Sequence, residues 1–189
     1  MKIETFYPEH PLLKDSVEYY YFQKTDAFDF CNEYYAFPNT LQALNIHKNI
    51  SCEIDSHLVK VTGIGQDSYT MILQGRFSLP LHVQQKGRIN KVTIIFKPLG
   101  LNHFIKSPYN EIAGEPTQIF TEWNNDKNCP AFLDMFYREP NNKIRIQILE
   151  KFLVMHYASF SQAAMLISCD SSARNRSRLK HSIEVISFC

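Results

Sequence analysis

The stretch Lys91–Phe120, KVTIIFKPLGLNHFIKSPYNEIAGEPTQIF, carries the clearest structural signal in the chain. It opens with a β-rich run, Val92 to Phe96, and breaks at Pro98-Leu99-Gly100. A short apolar segment follows, Leu101 to Ile105, closed off by Ser107-Pro108. Proline fixes φ and glycine permits φ > 0, so the chain is expected to turn sharply between the two apolar pieces. The pattern predicts a strand feeding a short helix. No catalytic residue type is concentrated here.

Upstream of this stretch the pattern is that of strands. Ser16 to Gln23 (SVEYYYFQ) is aromatic, Tyr34 to Phe37 is a short candidate, and Leu41 to Lys48 alternates between two faces. Cys52 to Gly63 and Ser68 to Leu73 follow, separated by a turn at Gly63-Ile64-Gly65. From Arg76 to Gln84 the residues Phe77, Leu79, Leu81 and Val83 recur with period two, and Pro80 inside the run favours an edge strand or a bulge. Lys86-Gly87 gives a hairpin-like turn toward Lys91–Lys97. Short strands at regular spacing predict a barrel or double-sheet jelly roll.

Downstream the period changes. Pro130 suits the first turn of a helix whose face carries Phe132, Leu133 and Phe136. Asn141 or Asn142 caps a second helix in which Ile144, Ile148, Phe152 and Met155 recur, widened by Leu149 and Leu153. That stripe either packs on the β-domain or forms an interface. A third helix is expected over Ser159–Ser168, followed by a polar, basic segment and a final amphipathic start, His181 to Phe188. An apolar half-element at the terminus raises the expectation of a chain cut short. The predicted class is α+β, mainly β: a β-barrel over 1–127 with a short inserted helix, a helical segment over 128–158, and a linker with a further helical start over 159–189.

Composition narrows the function classes. A net charge of +1 exerts no global pull toward nucleic acid or membrane, although Arg174, Arg176, Arg178 and Lys180 form a local basic cluster. Only 6 glycines argue against a Gly-rich phosphate-binding protein. Cys31, Cys52, Cys129, Cys169 and Cys189 lack CxxC or CxxH spacing and resemble reduced thiols of a cytoplasmic protein. No apolar run approaches the roughly 20 residues that span a bilayer, so no membrane partner is expected.

Chemistry is sparse. None of the seven histidines forms an i, i+2 or i, i+4 pair, and the HxH…E…H metal pattern is absent. A metal assembled from His47, His57 and His82 across neighbouring strands stays open, against three exposed or hydrogen-bonded histidines. GxSxG, GxxxxGK[ST] and GxGxxG do not occur, and Gly63-Ile64-Gly65 lacks the third glycine. The expectation is therefore no catalytic residue, no metal, no cofactor and no enzymatic activity. Candidate ligand contacts are Asn45 and His47, which share one face of an apolar strand, either lining an interior or facing solvent. Gln74 and Arg76 flank Gly75 at a possible cavity mouth. Tyr20, within Tyr19-Tyr20-Tyr21-Phe22, offers a stacking wall.

Taken in order, several segments resemble one family. HPLLKDSVEYYYFQ (His10–Gln23), FPNTLQALNIHKN (Phe37–Asn49), FKPLGLNHFIKSP (Phe96–Pro108), NEIAGEPTQIF (Asn110–Phe120) and NKIRIQILEKFLVMHY (Asn142–Tyr157) resemble the N-terminal sensor region of AraC-type (AraC/XylS) transcriptional regulators. SFSQAAMLIS (Ser159–Ser168) is similar to the first helix of that family's DNA-binding domain, and HSIEVISFC (His181–Cys189) to the start of its first helix-turn-helix. The resemblance implies a cupin-like barrel that senses an unknown small-molecule effector in the cytoplasm. It also implies a homodimer, with Ile144, Ile148, Phe152 and Met155 as candidate dimerisation residues. DNA would be contacted only through a C-terminal domain mostly missing from this sequence. The alternatives are a stand-alone cupin-like small-molecule-binding protein, a metal-dependent enzyme, or a structural dimerisation module.

Overall fold

The computed structural model describes residues 1–157. The expectations for Ser159–Ser168, for Arg174 to Lys180 and for His181 to Phe188 lie outside the described residues. Within them the fold is α+β and mainly β. Ten strands form two sheets: β1 (Lys2–Phe6), β2 (Val17–Thr25), β3 (Cys31–Ala36), β4 (Gln42–Lys48), β5 (Ile50–Asp55), β6 (Leu58–Gly63), β7 (Tyr69–Gln74), β8 (Leu81–Lys86), β9 (Ile89–Phe96) and β10 (Thr117–Ile119). The six-stranded sheet runs β1-β2-β9-β4-β7-β10, and the four-stranded sheet runs β3-β8-β6-β5. Pairing is antiparallel except between β6 and β8.

The larger sheet is buried on both faces at its centre, because successive side chains of a strand point to opposite sides. On the outer face Tyr20, Phe22, Leu44, Ile46, Leu73, Val92, Ile94 and Phe96 join one apolar core with the helices. The inner face turns toward the smaller sheet: Ile72 and Ile89 pack there against Ile50, Val59, Val61 and Val83. β9 lies between β2 and β4 and has six consecutive buried residues, Lys91 to Phe96. This double burial hides the period-two signal in its sequence.

After β9 the chain makes a type II turn, in which Gly100 N donates to Lys97 O at 2.8 Å. The residue with positive φ is Leu99 (φ 66°, ψ −2°), not the glycine. Gly100 serves close approach instead: a Cβ there would overlap the Ser16 carbonyl oxygen and lie 2.9 Å from its carbon. The predicted short helix is a 3₁₀ helix over Gly100–Phe104, followed by α1 (Tyr109–Ile112) and β10.

Three local expectations are corrected. Cys52–Gly63 is no single strand but part of the β5–β6 hairpin, folded at Ser56 (φ 35°) and His57 between the paired Asp55 and Leu58. Lys86-Gly87 makes no hairpin, since β8 and β9 belong to different sheets; Gly87 (φ 72°) carries the chain from one to the other. Pro80 lies just before β8, which is flanked by β3 and β6 and is not an edge strand. The missing N–H of Pro80 therefore breaks no ladder. The edges of the larger sheet are β1 and β10, two strands the sequence pattern did not single out.

The helices cover the outer face of the larger sheet. α2 (Cys129–Arg138) starts with Pro130 in its first turn and buries Phe132, Leu133 and Phe136 as expected. α3 (142–157) is capped by Asn141, whose Oδ1 accepts from Lys143 N at 2.9 Å. Its buried face is Ile146, Leu149, Phe152 and Leu153, whereas Ile144 (42%) and Met155 (47%) are exposed. The apolar stripe is thus rotated relative to Ile144/Ile148/Phe152/Met155. The Phe132 and Phe152 rings stack at 4.0 Å, locking the two helices together. No helix among the described residues is long and apolar enough to cross a membrane.

Candidate functional site

Period-two alternation places a polar set on the inner face of the larger sheet. Cross-strand register aligns Tyr21 with Thr93 and Gln23 with Lys91, and on the other side of β9 it aligns Asn45 with Thr93 and His47 with Lys91. Gln23, Asn45, His47, Lys91 and Thr93 are all nearly inaccessible, as is Gln85 on the smaller sheet. Asn45 is the hub. Its Oδ1 accepts from Thr93 Oγ1 at 2.8 Å and from Lys91 Nζ at 3.4 Å, and its amide donates to Ile72 O at 3.4 Å. Across the gap Gln23 Nε2 donates to Gln85 Oε1 at 2.7 Å, and Asn32 Nδ2 donates to the same oxygen at 3.3 Å.

This interior adjoins a cleft of about 410 Å³ between the β1–β2 side of the larger sheet and β3. Tyr19, Tyr21 and Tyr34 supply its aromatic walls, Gln23 and Asn32 its amides, and Met1, Ile3 and Thr5 its remaining lining. No charged side chain lines it. The Lys91 ammonium is not part of the lining; it lies 3.5 Å from the Tyr21 hydroxyl and 5.3 Å from the centre of the Tyr21 ring. A groove of about 480 Å³ lies beside α2 and Ile148, and two larger ones, about 870 and 730 Å³, are also present. The larger of these two is edged by charged groups, among them Glu4 bonded to Asn142, Lys24 paired with Asp26, and the buried Arg145, whose Nε and Nη2 have no hydrogen-bond partner among the described residues. The other reaches the end of the described part of α3.

The electrostatics of the interior are unusual for a core. Burial, reinforced by the Lys91 charge, holds the His47 imidazole well below its ordinary pKa. Its Nδ1 is buried with no hydrogen-bond partner among the described residues. For Lys91 burial disfavours the charged form, but Tyr21 and Tyr34 outweigh it and raise the pKa. Part of that push is the hydrogen bond to the Tyr21 hydroxyl itself. At neutral pH the ammonium faces hydroxyl and amide dipoles rather than an anion. Burial likewise raises the Tyr34 phenol above its ordinary value, against the opposing charge of Lys91.

Of the residues singled out from sequence, Asn45 and His47 fall inside, on the inner face. Tyr20 does not: it points to the outer face, where its hydroxyl donates to Glu150 Oε1 at 3.3 Å. Its neighbours Tyr19 and Tyr21 form the aromatic wall instead, because alternate residues of β2 face opposite sides. Gln74 lies at the end of β7, paired with Ala43 and Thr117, and Arg76 lies exposed beyond it; neither lines the cleft. Phe152 is in the core and unavailable to a partner chain, Ile148 is half-buried, and Ile144 and Met155 are exposed. The histidines are not brought together. His47 is interior, His57 sits at the β5–β6 turn, and His82 is on the outer face of the smaller sheet with Glu33 and Tyr35. Among the described residues no three His, Cys, Asp or Glu side chains are grouped to hold a metal.

Gln23, Gln85, Lys91 and Thr93 were not anticipated as site residues. Lys91 and Thr93 stand two apart in a strand otherwise rich in Val and Ile, and that spacing was the available signal. No protein-family model matches the chain, and neither does any curated protein or solved structure with which it was compared.

Proposed function

We propose that residues 1–157 are the effector-binding sensor unit of an AraC-type transcription regulator, built as a cupin-like double-sheet barrel. On this reading it works in the cytoplasm as a homodimer and controls gene expression through a C-terminal helix-turn-helix domain. The observation that carries the reading is the polar set buried between the sheets beside an aromatic cleft. A sandwich selected for stability alone would fill this space with apolar side chains, since each buried polar group costs free energy unless fully hydrogen-bonded. A few convergent polar groups in an otherwise apolar cavity are what a small-molecule site requires. The order of sequence segments resembling the family supplies the regulatory context.

The larger sheet provides a route for coupling. Its inner face adjoins the cleft, and its outer face carries the helices: Tyr137 OH of α2 donates to Ile46 O of β4 at 2.6 Å. Tyr69 OH of β7 donates to Asp134 of α2 at 2.8 Å. A ligand that shifts β4 and β9 changes the seat of α2 and α3. It acts as a signal only by binding one arrangement more tightly than the other.

The test is a thermal-shift panel of sugars, nucleosides, organic acids and their neutral analogues, followed by sedimentation velocity with each hit. Expected are a raised melting temperature with one chemical class and a dimer whose affinity depends on that ligand. No shift with any class, or a stoichiometric, tightly held metal in the purified protein, would overturn the sensor reading.

A further inference from the structure

The buried ammonium of Lys91 indicates what kind of molecule the cleft takes. We infer that the cleft between the two sheets binds a small monocarboxylic acid with an apolar body, and that Lys91, together with the neighbouring Tyr21 hydroxyl, receives the carboxylate. The inference rests on the sensor reading and specifies its ligand.

Four observations converge. Lys91 is 2% exposed, so water does not solvate its charge. It forms no salt bridge among the described residues; its hydrogen-bond partners are the Asn45 amide oxygen at 3.4 Å and the Tyr21 hydroxyl at 3.5 Å, with the Tyr21 ring centre 5.3 Å away. Both hydrogen bonds are at the long limit, and an ammonium has three donors. The cleft lining contains no carboxylate of its own, so nothing there competes with an incoming anion or repels it.

An unpaired buried charge is among the most costly features a core can carry, and such charges are kept when they meet a partner. Lys91 does not itself line the cleft, so a carboxylate entering beside Tyr21 reaches the ammonium as that side chain yields, and then accepts charge-assisted hydrogen bonds from Tyr21 OH and Lys91 Nζ in place of their long mutual contact. One cation matches one negative charge. A phosphate, with nearly two, would remain half-neutralised. The walls formed by Tyr19, Tyr21 and Tyr34 then take the apolar remainder of the molecule.

The experiment pairs acids with neutral isosteres: phenylacetate against phenylacetamide, and hexanoate against hexanamide, with glucose and adenosine alongside. Binding at roughly a hundred times the dissociation constant raises the melting temperature of a chain this size by about 5–10 °C. The acids are expected to shift the wild type and the amides not to. Lys91→Met and Lys91→Gln should melt at or above the wild type without ligand and lose the acid response. Shifts produced by the neutral compounds instead overturn the acid assignment while leaving a sensor. Shifts by the acids that survive in both variants remove Lys91 from the site and overturn it as well. Strong destabilisation of both variants makes Lys91 a structural residue and likewise overturns the assignment. A panel in which nothing shifts defeats the acid site and the sensor reading together.

Discussion

Glu150 joins three parts of the molecule, and its removal has a calculable cost. From α3 its Oε1 accepts from Glu9 N at 2.8 Å and from Tyr20 OH at 3.3 Å, while Oε2 accepts from His10 N at 2.9 Å. Glu9 and His10 are exposed, so after Glu150→Ala water takes over their amides and each loss is about 0.5–1.5 kcal/mol. Tyr20 is 0% exposed, and its hydroxyl would be stranded at a penalty of about 1–3 kcal/mol. It cannot escape by ionising, because burial, the larger cause of its raised pKa, remains when the Glu150 charge is removed. The sum is roughly 2–6 kcal/mol, centred near 4. Tyr20→Phe alone should cost about 1 kcal/mol, since Glu150 keeps its other two donors. In the double variant no hydroxyl is stranded, so the two costs fall short of additivity by about 1–2 kcal/mol. Urea unfolding followed through the fluorescence of Trp123, which packs on Phe152 of α3, measures the cycle. Additive costs would refute the account of Tyr20 as a helix-docking residue, and so would a Tyr20→Phe variant of unchanged stability that loses ligand binding.

Other consequences follow from single positions. His47 is held below its ordinary pKa of 6.5 by burial and Lys91, so the unfolded chain takes up the proton preferentially as pH falls through that value. Its contribution is intact above about pH 6.5 and is lost below it by up to ~1.4 kcal/mol per pH unit; His47→Gln should flatten this slope in urea titrations at several pH values, leaving the part due to His103, which burial shifts the same way. An unchanged slope would exclude His47 as its source. Gly100→Ala forces a Cβ into the Ser16 carbonyl and should cost at least about 2–3 kcal/mol of unfolding free energy; a neutral effect would disprove the close approach. Leu99→Gly relieves a left-handed residue costing about 1–2 kcal/mol, offset by about 0.5–1 kcal/mol of added chain entropy. A small gain in melting temperature is therefore expected, and a clear loss would show that the Leu99 side chain, 60% exposed, contributes packing after all.

Elements with local signals were legible in the sequence. Pro130 marked the start of α2, Asn141 capped α3, and the alternation in Leu41–Lys48 gave β4 and put Asn45 beside His47. What stayed hidden depended on distant partners. Whether Asn45 pointed inward was a matter of register, fixed only by pairing with Thr93 and Ile72. Tyr20 and Tyr21 are equally aromatic, and only the sheet decides which meets Glu150 and which the cleft. The Gly87 turn looked like a hairpin because turn chemistry is local, whereas the choice of sheet by β8 and β9 is not. In α3 the apolar residues nearly encircle the helix, so the buried face was chosen by Phe132 of α2 and the sheet, not by periodicity alone.

The larger sheet separates two tasks by alternation along the same strands. In β4, Leu44 and Ile46 hold the helices while Asn45 and His47 face the interior. In β9, Val92 and Ile94 do the first and Lys91 and Thr93 the second. Apolar burial on the outer face, at about 1.5–3 kcal/mol per large side chain, supplies ample stability to offset a polar inner face. The costly groups can therefore be confined to one side without unfolding the domain. The arrangement also sets where substitutions act. Truncations at Leu44, Ile94 or Phe136 should lower stability and leave ligand selectivity alone, whereas Lys91→Met should do the reverse. A sheet that merely tolerated stray polar residues would show no such split, since Lys91 would then behave as any other core position.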